Sequence, residues 1–177
     1  VRTTFRENVV TSSYGHFQIF PKSANRGQNN EPLAHLIQED PKKLRQDIEK
    51  SVGKVAFLSR QQQFFGLLSN GDKSTGGIGI GIDAKEEQKF LTMNQVHKGK
   101  HLADSDEDGI FIGYLFAEKL GIEVGQYVTV VVTTASGSIN ALDLQVAGLF
   151  KSGVTTLDEG VYMVPVSYTH LTLPTRS

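Results

Sequence analysis

The chain of 177 residues contains no cysteine, which excludes a disulfide framework, a thiolate metal site and a cysteine nucleophile. It also has no run of 18 apolar residues, so no segment has the composition of a membrane-spanning helix. An excess of charge is missing too, because 18 Lys and Arg residues face 19 Asp and Glu residues. The net charge of −1 therefore gives no electrostatic reason to expect nucleic acid or an anionic membrane as a partner.

The two ends of the chain do not look like the ends of a complete protein. The chain begins at Val1, and residues 1–14 are polar and lack the apolar core of a signal peptide. The protein-like pattern stops near residue 166, and residues 167–177 read like translated vector sequence. We therefore expect a piece of a longer protein with a non-native tail; the alternative for the tail is a genuine Thr-rich segment.

The first half of the chain predicts a strand, a helix and a hairpin. Residues 15–20 alternate like a strand, and Asp40 before a proline marks the start of a helix that ends near Gly53. Residues 54–69 predict either two strands or one long strand bent at Gly66. An Asn-Gly turn then leads into a second arm in which isoleucines alternate with glycines, so that one face of this arm is bare.

The second half predicts a strand–helix–strand sequence followed by a hairpin. Residues 110–113 form a strand, the next residues form a short helix that ends at Gly121, and Gly125 makes a turn. Residues 128–133 and 139–150 are predicted as antiparallel arms, and residues 161–166 as the last strand. Residues 84–95 predict a short helix or turn. The adjacent Phe64 and Phe65 point to opposite faces of a strand, one to the core and the other to a partner domain or to a second side of the core.

The most specific local motif is an acidic turn that resembles half of a calcium loop. Asp104, Asp106 and Asp108 alternate and a glycine follows, which is the pattern that wraps Ca²⁺ with oxygen ligands. The twelfth position, which should be Glu, is Leu115, and a strand rather than a helix follows. We therefore expect an acidic turn before a buried strand and treat the three aspartates as weak metal candidates only.

Other possible sites are weaker still. The glycine-rich run at residues 76–81 has the wrong spacing for a dinucleotide or phosphate loop. His97 and His101 are four residues apart, a spacing that could place two metal ligands on one face of a helix. A glycine lies between them, so we expect both histidines to lie on a surface loop. No serine has the surroundings of a nucleophile, and the neighbouring acids Asp158 and Glu159 are expected to be solvated. The sequence therefore predicts no catalytic and no cofactor-binding residue.

The order of these elements resembles the extracytoplasmic domain of ABC-transporter permeases of the lipoprotein-releasing and MacB-like (FtsX-related) family. The resemblance covers most of residues 1–166, and each matching piece alone is weak. The matching pieces are Tyr14–Ile19, Gly81–Asp83 with Glu86, Lys98–Leu102, Ile110–Gln126, Val146–Phe150, and Asp158 with Tyr162 and Pro165. Gln126 departs from the family, which often has Asp at this position.

The resemblance implies an α+β fold with a mixed, porter-like α/β part and a smaller β-rich subdomain near residues 98–150. Residues 1–14 would follow a missing transmembrane helix, and residues 15–166 would form the MacB-like periplasmic domain. The implied location is the periplasmic or extracytoplasmic side of the cytoplasmic membrane. The implied partners are a cytoplasmic ATPase subunit, a second permease copy or paralogue, and a periplasmic carrier or lipoprotein substrate.

The function that this family implies is mechanical, and it needs no cofactor in this part of the protein. ATP hydrolysis would occur on the separate ATPase, and this domain would couple the resulting conformational change to the export or release of a substrate such as a lipoprotein. Two alternatives stay open from the residues alone. One is a free-standing secreted binding module that holds an ion at residues 104–109, and the other is an enzyme domain whose site is built from dispersed residues.

Overall fold

The computed structural model describes Ile19 and residues 40–55, 61–83, 95–103, 108–133 and 137–165. Over these ranges the chain forms three helices and seven strands. The helices are α1 (Pro41–Val52), α2 (Tyr114–Leu120) and α3 (Thr155–Gly160). The strands are β1 (Gln61–Ser69), β2 (Ser74–Ile82), β3 (Gln95–Gly99), β4 (Gly109–Gly113), β5 (Tyr127–Thr133), β6 (Ile139–Lys151) and β7 (Val161–Pro165). Helices beside a mixed sheet make this an α+β fold.

The sheet closes on itself because the long strand β6 has partners along both edges. Strand order is β3-β6-β4-β7-β2-β1-β5, and β5 pairs again with β6. Gln145 marks the change of partner, since it lies opposite Tyr127 of β5 on one edge and Gly109 of β4 on the other. Six strands thus form a closed ring with two parallel pairs, β2–β7 and β4–β6, and four antiparallel pairs.

The interior of the ring is built from alternate residues of its strands. In β5 the side chains of Val128, Val130 and Val132 are buried while their neighbours are more exposed, which is the period of two expected for a strand with one face on the core. The same period places Phe64 and Leu68 of β1 inside. The β-branched valines suit this pleated, half-buried position, and closure protects the strand edges from pairing with other chains.

The glycines of β2 leave room for three aromatic rings in the interior. A Cβ atom on Gly77 would lie 2.7 Å from the Phe116 ring, and a Cβ on Gly79 would collide with the ring of Phe64. Tyr162 crosses the same space, and its ring centroid lies 6.0 Å from that of Phe64 in an edge-to-face arrangement. The bare face predicted for this strand is therefore confirmed, and aromatic side chains fill it.

Helix α2 closes one end of the ring. It starts directly after β4, presents Phe116, Ala117 and Leu120 to the core, and ends at Gly121, whose φ of 70° is the left-handed conformation that glycine tolerates best. All five residues of β4 are buried. Both faces of β4 are buried because each packs against an apolar cluster. Ile110 and Ile112 pack in the interior of the ring, and Phe111 packs with Phe150 and Leu102 in a second cluster.

Several predicted elements are confirmed at their predicted positions. Asp40 caps α1, since its carboxylate accepts a hydrogen bond from the Lys42 backbone N–H at 2.8 Å, and the helix ends at Gly53. The Asn-Gly hairpin joins β1 to β2. In this turn the Asn70 side-chain oxygen accepts from two backbone N–H groups, and its amide nitrogen donates to the Leu120 carbonyl at 2.7 Å. The turn is thereby fixed to the end of α2.

Other predictions are wrong or lie outside the described residues. The bend predicted at Gly66 is absent, because β1 pairs without interruption with β2 and with β5 at this residue. Gly66 instead makes room for the Tyr162 hydroxyl, which a Cβ atom would meet. Ile19 is 47% exposed and not in a strand, and the rest of the strand predicted at residues 15–20 lies outside the described residues, as do residues 84–94.

The sheet includes strands from inside and outside residues 98–150. Strand β1 pairs with β5 and strand β7 pairs with β4, and both β4 and β5 belong to the predicted β-rich subdomain. A boundary between two subdomains at residues 98 and 150 stays a prediction. So do the boundaries at residues 14 and 166, since the residues on either side lie outside the described ranges.

Replacing Tyr162 by Phe should leave the free energy of unfolding unchanged or raise it by about 1 kcal/mol. The Tyr162 side chain is fully buried, and its hydroxyl has no hydrogen-bond partner in the described part of the chain. Burial also raises the pKa of this hydroxyl above its usual value of 10. Urea unfolding monitored by circular dichroism measures the change, and Tyr127→Phe, at a 64% exposed position, is the matched control. A loss of stability above about 1 kcal/mol in Tyr162→Phe alone would contradict this description of the core.

Candidate functional site

The acidic turn contributes one described residue. Asp108 is exposed, and its backbone carbonyl accepts a hydrogen bond from the Gln145 N–H at 2.7 Å, which ties the residue before β4 to β6. Asp104 and Asp106 lie outside the described residues. Within the ranges that the structure describes, no three acidic or histidine side chains come together as metal ligands. The metal candidates therefore stay a prediction from sequence.

For His97 the expected loop position is wrong, because this exposed residue belongs to a strand, whereas His101 lies on a loop as expected but is half-buried. His97 lies in β3, where the register with β6 shifts between Val96 and Lys98. The shift makes His97 the bulged residue, and a bulge redirects a side chain. Its ring lies 5.0 Å from that of Tyr114 at the start of α2. His101 follows β3 and packs against Phe111, with the two ring centroids 5.3 Å apart.

Asp158 is buried rather than solvated, which corrects the expectation for the neighbouring acids. Its side chain is 2% exposed, and one carboxylate oxygen accepts hydrogen bonds from both the N–H and the hydroxyl of Ser152, each at 2.7 Å. The Asp158 backbone also lies so close to Gly113 that a Cβ atom there would collide with its carbonyl. Asp158 thus ties the turn after β6 to α3, and its role is structural. Glu159, by contrast, is exposed.

A groove lies between β3 and α2 at the end of the ring, and it is the candidate binding site. Its volume is about 690 Å³, within the usual range for ligand sites. The floor contains the buried side chains of Ile122 and Leu149. The rim is formed by His97, Lys98, Tyr114, Glu118, Gly121, Glu123 and Gln126. The Gln126 side chain accepts a hydrogen bond from the Glu123 N–H at 2.9 Å, which stabilises the turn on one side.

Sequence reasoning did not identify this groove. His97 lies in β3, and Tyr114 directly follows β4. Strand β6 holds these two strands on opposite edges, and the rings of His97 and Tyr114 come into contact. Lys151, at the end of β6, places its ammonium nitrogen 5.4 Å from the centre of the Tyr114 ring. The register shift in β3 that redirects His97 has no local sequence signal, because a bulge is specified by the pairing of two strands.

A second surface feature is an apolar patch on the outside of the ring, at β1 and β2. Phe65 and Ile78 are paired across the two strands and are 69% and 47% exposed, and Leu67 beside them is 39% exposed. A two-sided core at Phe65 is therefore not observed. A Cβ atom on Gly76 would lie 2.6 Å from the Phe65 ring, so this ring covers the glycine. Local packing of an aromatic ring over a strand glycine accounts for part of this exposed surface.

Comparison with known proteins identifies the fold through structure alone. No protein-family model and no curated protein matches the sequence. The extracellular domain of the noncanonic ABC-type transporter YknZ from Gram-positive bacteria is similar over 71% of this chain, with a TM-score of 0.51 and 17% identity. The periplasmic region of MacB from Actinobacillus actinomycetemcomitans is similar over 77%, with a TM-score of 0.50 and 14% identity.

The chain is shorter than these structural neighbours. It covers 62% of the YknZ domain and 60% of the MacB region. At this level of identity the comparison shows that the folds are alike, and it also supports the α+β class predicted from the sequence. Among the described helices, none combines the length and apolar character needed to cross a bilayer.

Replacing Asp158 by Ala should destabilise the protein by about 2 kcal/mol, because the Ser152 N–H and hydroxyl lose their acceptor in a partly buried site. The matched control is Glu159→Ala, which should change the free energy of unfolding by less than about 0.5 kcal/mol. Chemical denaturation of both variants provides the measurement. Equal small effects in the two variants would show that the carboxylate of Asp158 has no structural role.

Acidification should destabilise the protein in part through His101. Burial lowers the pKa of His101 below its ordinary value of 6.5, so the unfolded chain takes up this proton before the folded one does. Neutral His101 therefore makes its full contribution to the free energy of unfolding above about pH 6.5, and this contribution is lost as the pH falls towards the pKa of His101 in the folded protein. Denaturation between about pH 7.5 and about pH 5.5 should show a smaller loss of stability in His101→Gln than in the parent. His97→Gln, at an exposed site, is the control, and a parent-like slope in His101→Gln would refute the assignment.

Proposed function

We propose that this chain is the extracytoplasmic domain of an ABC-transporter permease and that it acts as a mechanical coupling element. The observation that carries the proposal is the fold, which is like those of the YknZ and MacB extracytoplasmic regions over more than two thirds of the chain. The motif order from Ile110 to Gln126 supports it independently, because this segment contains the strand, helix and turn that the family pattern requires.

The closed sheet is suited to transmit movement as a single body. Every strand of the ring is hydrogen-bonded on both sides, and close-packed interiors deform little under load. In the proposed mechanism, ATP hydrolysis takes place on a separate cytoplasmic ATPase. The ATPase moves the membrane helices of the permease, and these helices pass the movement to this domain. Such a domain needs neither a nucleophile nor a cofactor, and displacement of a packed body is a common form of switching.

The finer proposal is that the permease belongs to the lipoprotein-releasing branch and works in the cytoplasmic membrane with a second permease copy or paralogue. Support comes from residues 15–20, whose pattern favours this branch over the MacB branch. A periplasmic carrier or a lipoprotein would then be the partner outside the membrane. The rival function is a secreted binding module with an ion at residues 104–109.

Recovery of the complete gene is the experiment that tests the proposed function. We expect one apolar span of about 20 residues before Val1 and three more after residue 166, since this is the length that crosses a bilayer as a helix. A neighbouring reading frame with a phosphate-binding G-x-x-x-x-G-K-[ST] motif is expected for the ATPase. A frame that encodes a cleaved signal peptide and then this domain alone would refute the proposal and favour the secreted module.

A further inference from the structure

We propose that Asn70 is a modification site at which the side-chain amide is lost by deamidation without an enzyme, and that the contact of Asn70 with the end of α2 controls this reaction. The product in turn breaks the contact. The inference goes beyond the coupling role, because it concerns a covalent change in the domain. It rests on the Asn-Gly pair in the β1–β2 turn and on the hydrogen bonds that hold this pair.

An asparagine that precedes a glycine is readily attacked by its own backbone. The backbone nitrogen of Gly71 bonds to the side-chain carbonyl carbon of Asn70, ammonia leaves, and a five-membered succinimide ring forms. Water then opens the ring at one of its two carbonyl carbons, which gives either aspartate or a β-linked isoaspartate. Glycine has no Cβ atom to hinder the attack, and Gly71 is exposed to the water that the second step consumes.

The folded chain holds each reacting group in a hydrogen bond. The amide nitrogen of Asn70, which must leave as ammonia, donates to the Leu120 carbonyl at 2.7 Å. The side-chain oxygen accepts from two backbone N–H groups of the turn, at 3.0 and 2.7 Å. The attacking nitrogen of Gly71 donates its hydrogen to the Ser69 hydroxyl at 3.2 Å. The half-buried side chain is thus fixed in one orientation, so the attack requires local opening of the turn.

The bond to Leu120 links the reaction to α2. Leu120 is the last residue of this helix, so its carbonyl has no partner within the helix. The Asn70 amide supplies the missing donor from a position 50 residues earlier in the chain. Opening of this single contact therefore frees the reacting amide and the end of α2 together.

Deamidation replaces a donor by an acceptor. A carboxylate at position 70 can still accept from the N–H groups of the turn, but its second oxygen faces the Leu120 carbonyl and has no hydrogen to donate. Two acceptors repel each other, and this carbonyl lies at the negative end of the helix. The isoaspartate product also lengthens the backbone of the turn. The modified turn therefore separates from α2, and the loss of ammonia makes the change permanent.

Deamidation rates test whether the fold controls the reaction. The 177-residue chain and a synthetic peptide of residues 67–75 are incubated at mildly alkaline pH, and digestion with mass spectrometry follows aspartate and isoaspartate at position 70. The rate should be at least about tenfold lower in the folded chain than in the peptide, and the two rates should agree when the chain is unfolded in urea. Equal rates in the folded chain and the peptide would overturn the proposal.

Two glycine variants separate opening at α2 from global unfolding. Gly121→Ala strains the end of α2 through the backbone alone, because φ is 70° and an added Cβ atom would meet nothing within 4 Å. Gly153→Ala is the matched control, with φ of 79° and equally open surroundings in the turn after β6. Deamidation should be about fivefold faster in Gly121→Ala and unchanged in Gly153→Ala, with both variants folded by circular dichroism. Equal acceleration in the two variants would show that the contact with α2 does not control the reaction.

The effect of the product is tested with Asn70→Asp, which should lower the melting temperature by about 4 °C. Asp72→Asn alone, at an exposed position, should melt like the parent. The double variant with both changes has the composition and net charge of the parent, and it should still melt like Asn70→Asp, because the loss is local to the Leu120 carbonyl. A parent-like melting temperature in Asn70→Asp or in the double variant would contradict the proposed effect.

Discussion

The structure depends on the two-sided pairing of strand β6. This strand is 13 residues long, and it bonds to β5 and then to β3 along one edge while β4 occupies the other. Without this strand the sheet would be open, and the valines of β5 and the rings of Phe64 and Tyr162 would lie at an exposed face rather than inside a ring. Strand β6 also sets the position of the groove, because it holds β3, which carries His97, on one edge and β4, which Tyr114 follows, on the other.

Short-range sequence signals predicted the local elements well. Asp40 and Gly53 set the two ends of α1, the Asn-Gly pair set the β1–β2 turn, and Gly121 ended α2, because each of these residues acts on its own neighbours. The alternation of isoleucine and glycine also predicted the bare face of β2. These signals need no knowledge of the rest of the chain, so they can be read directly from the sequence.

The features that the sequence did not reveal all depend on contacts between distant residues. Gly66 looked like a bend, but it is a space for the Tyr162 hydroxyl, which comes from β7. Asp158 looked like a solvated acid, but its backbone packs closely against Gly113 at the end of β4. The helix α3 is short and was not predicted, and the groove required the bulge in β3. Even closure of the ring could not be foreseen, because the double pairing of β6 is not encoded locally.

The likeness to transporter domains, the coupling role and the groove between β3 and α2 all presuppose one closed sheet. The most direct measurement is a nuclear Overhauser spectrum of the isotopically labelled chain in solution. A closed sheet predicts cross-strand contacts between Val130 and Leu142 and, in the same molecule, between Ile112 and Leu149, since these pairs face each other on opposite edges of β6. A spectrum with contacts along one edge of β6 and none along the other would show an open sheet and contradict the account.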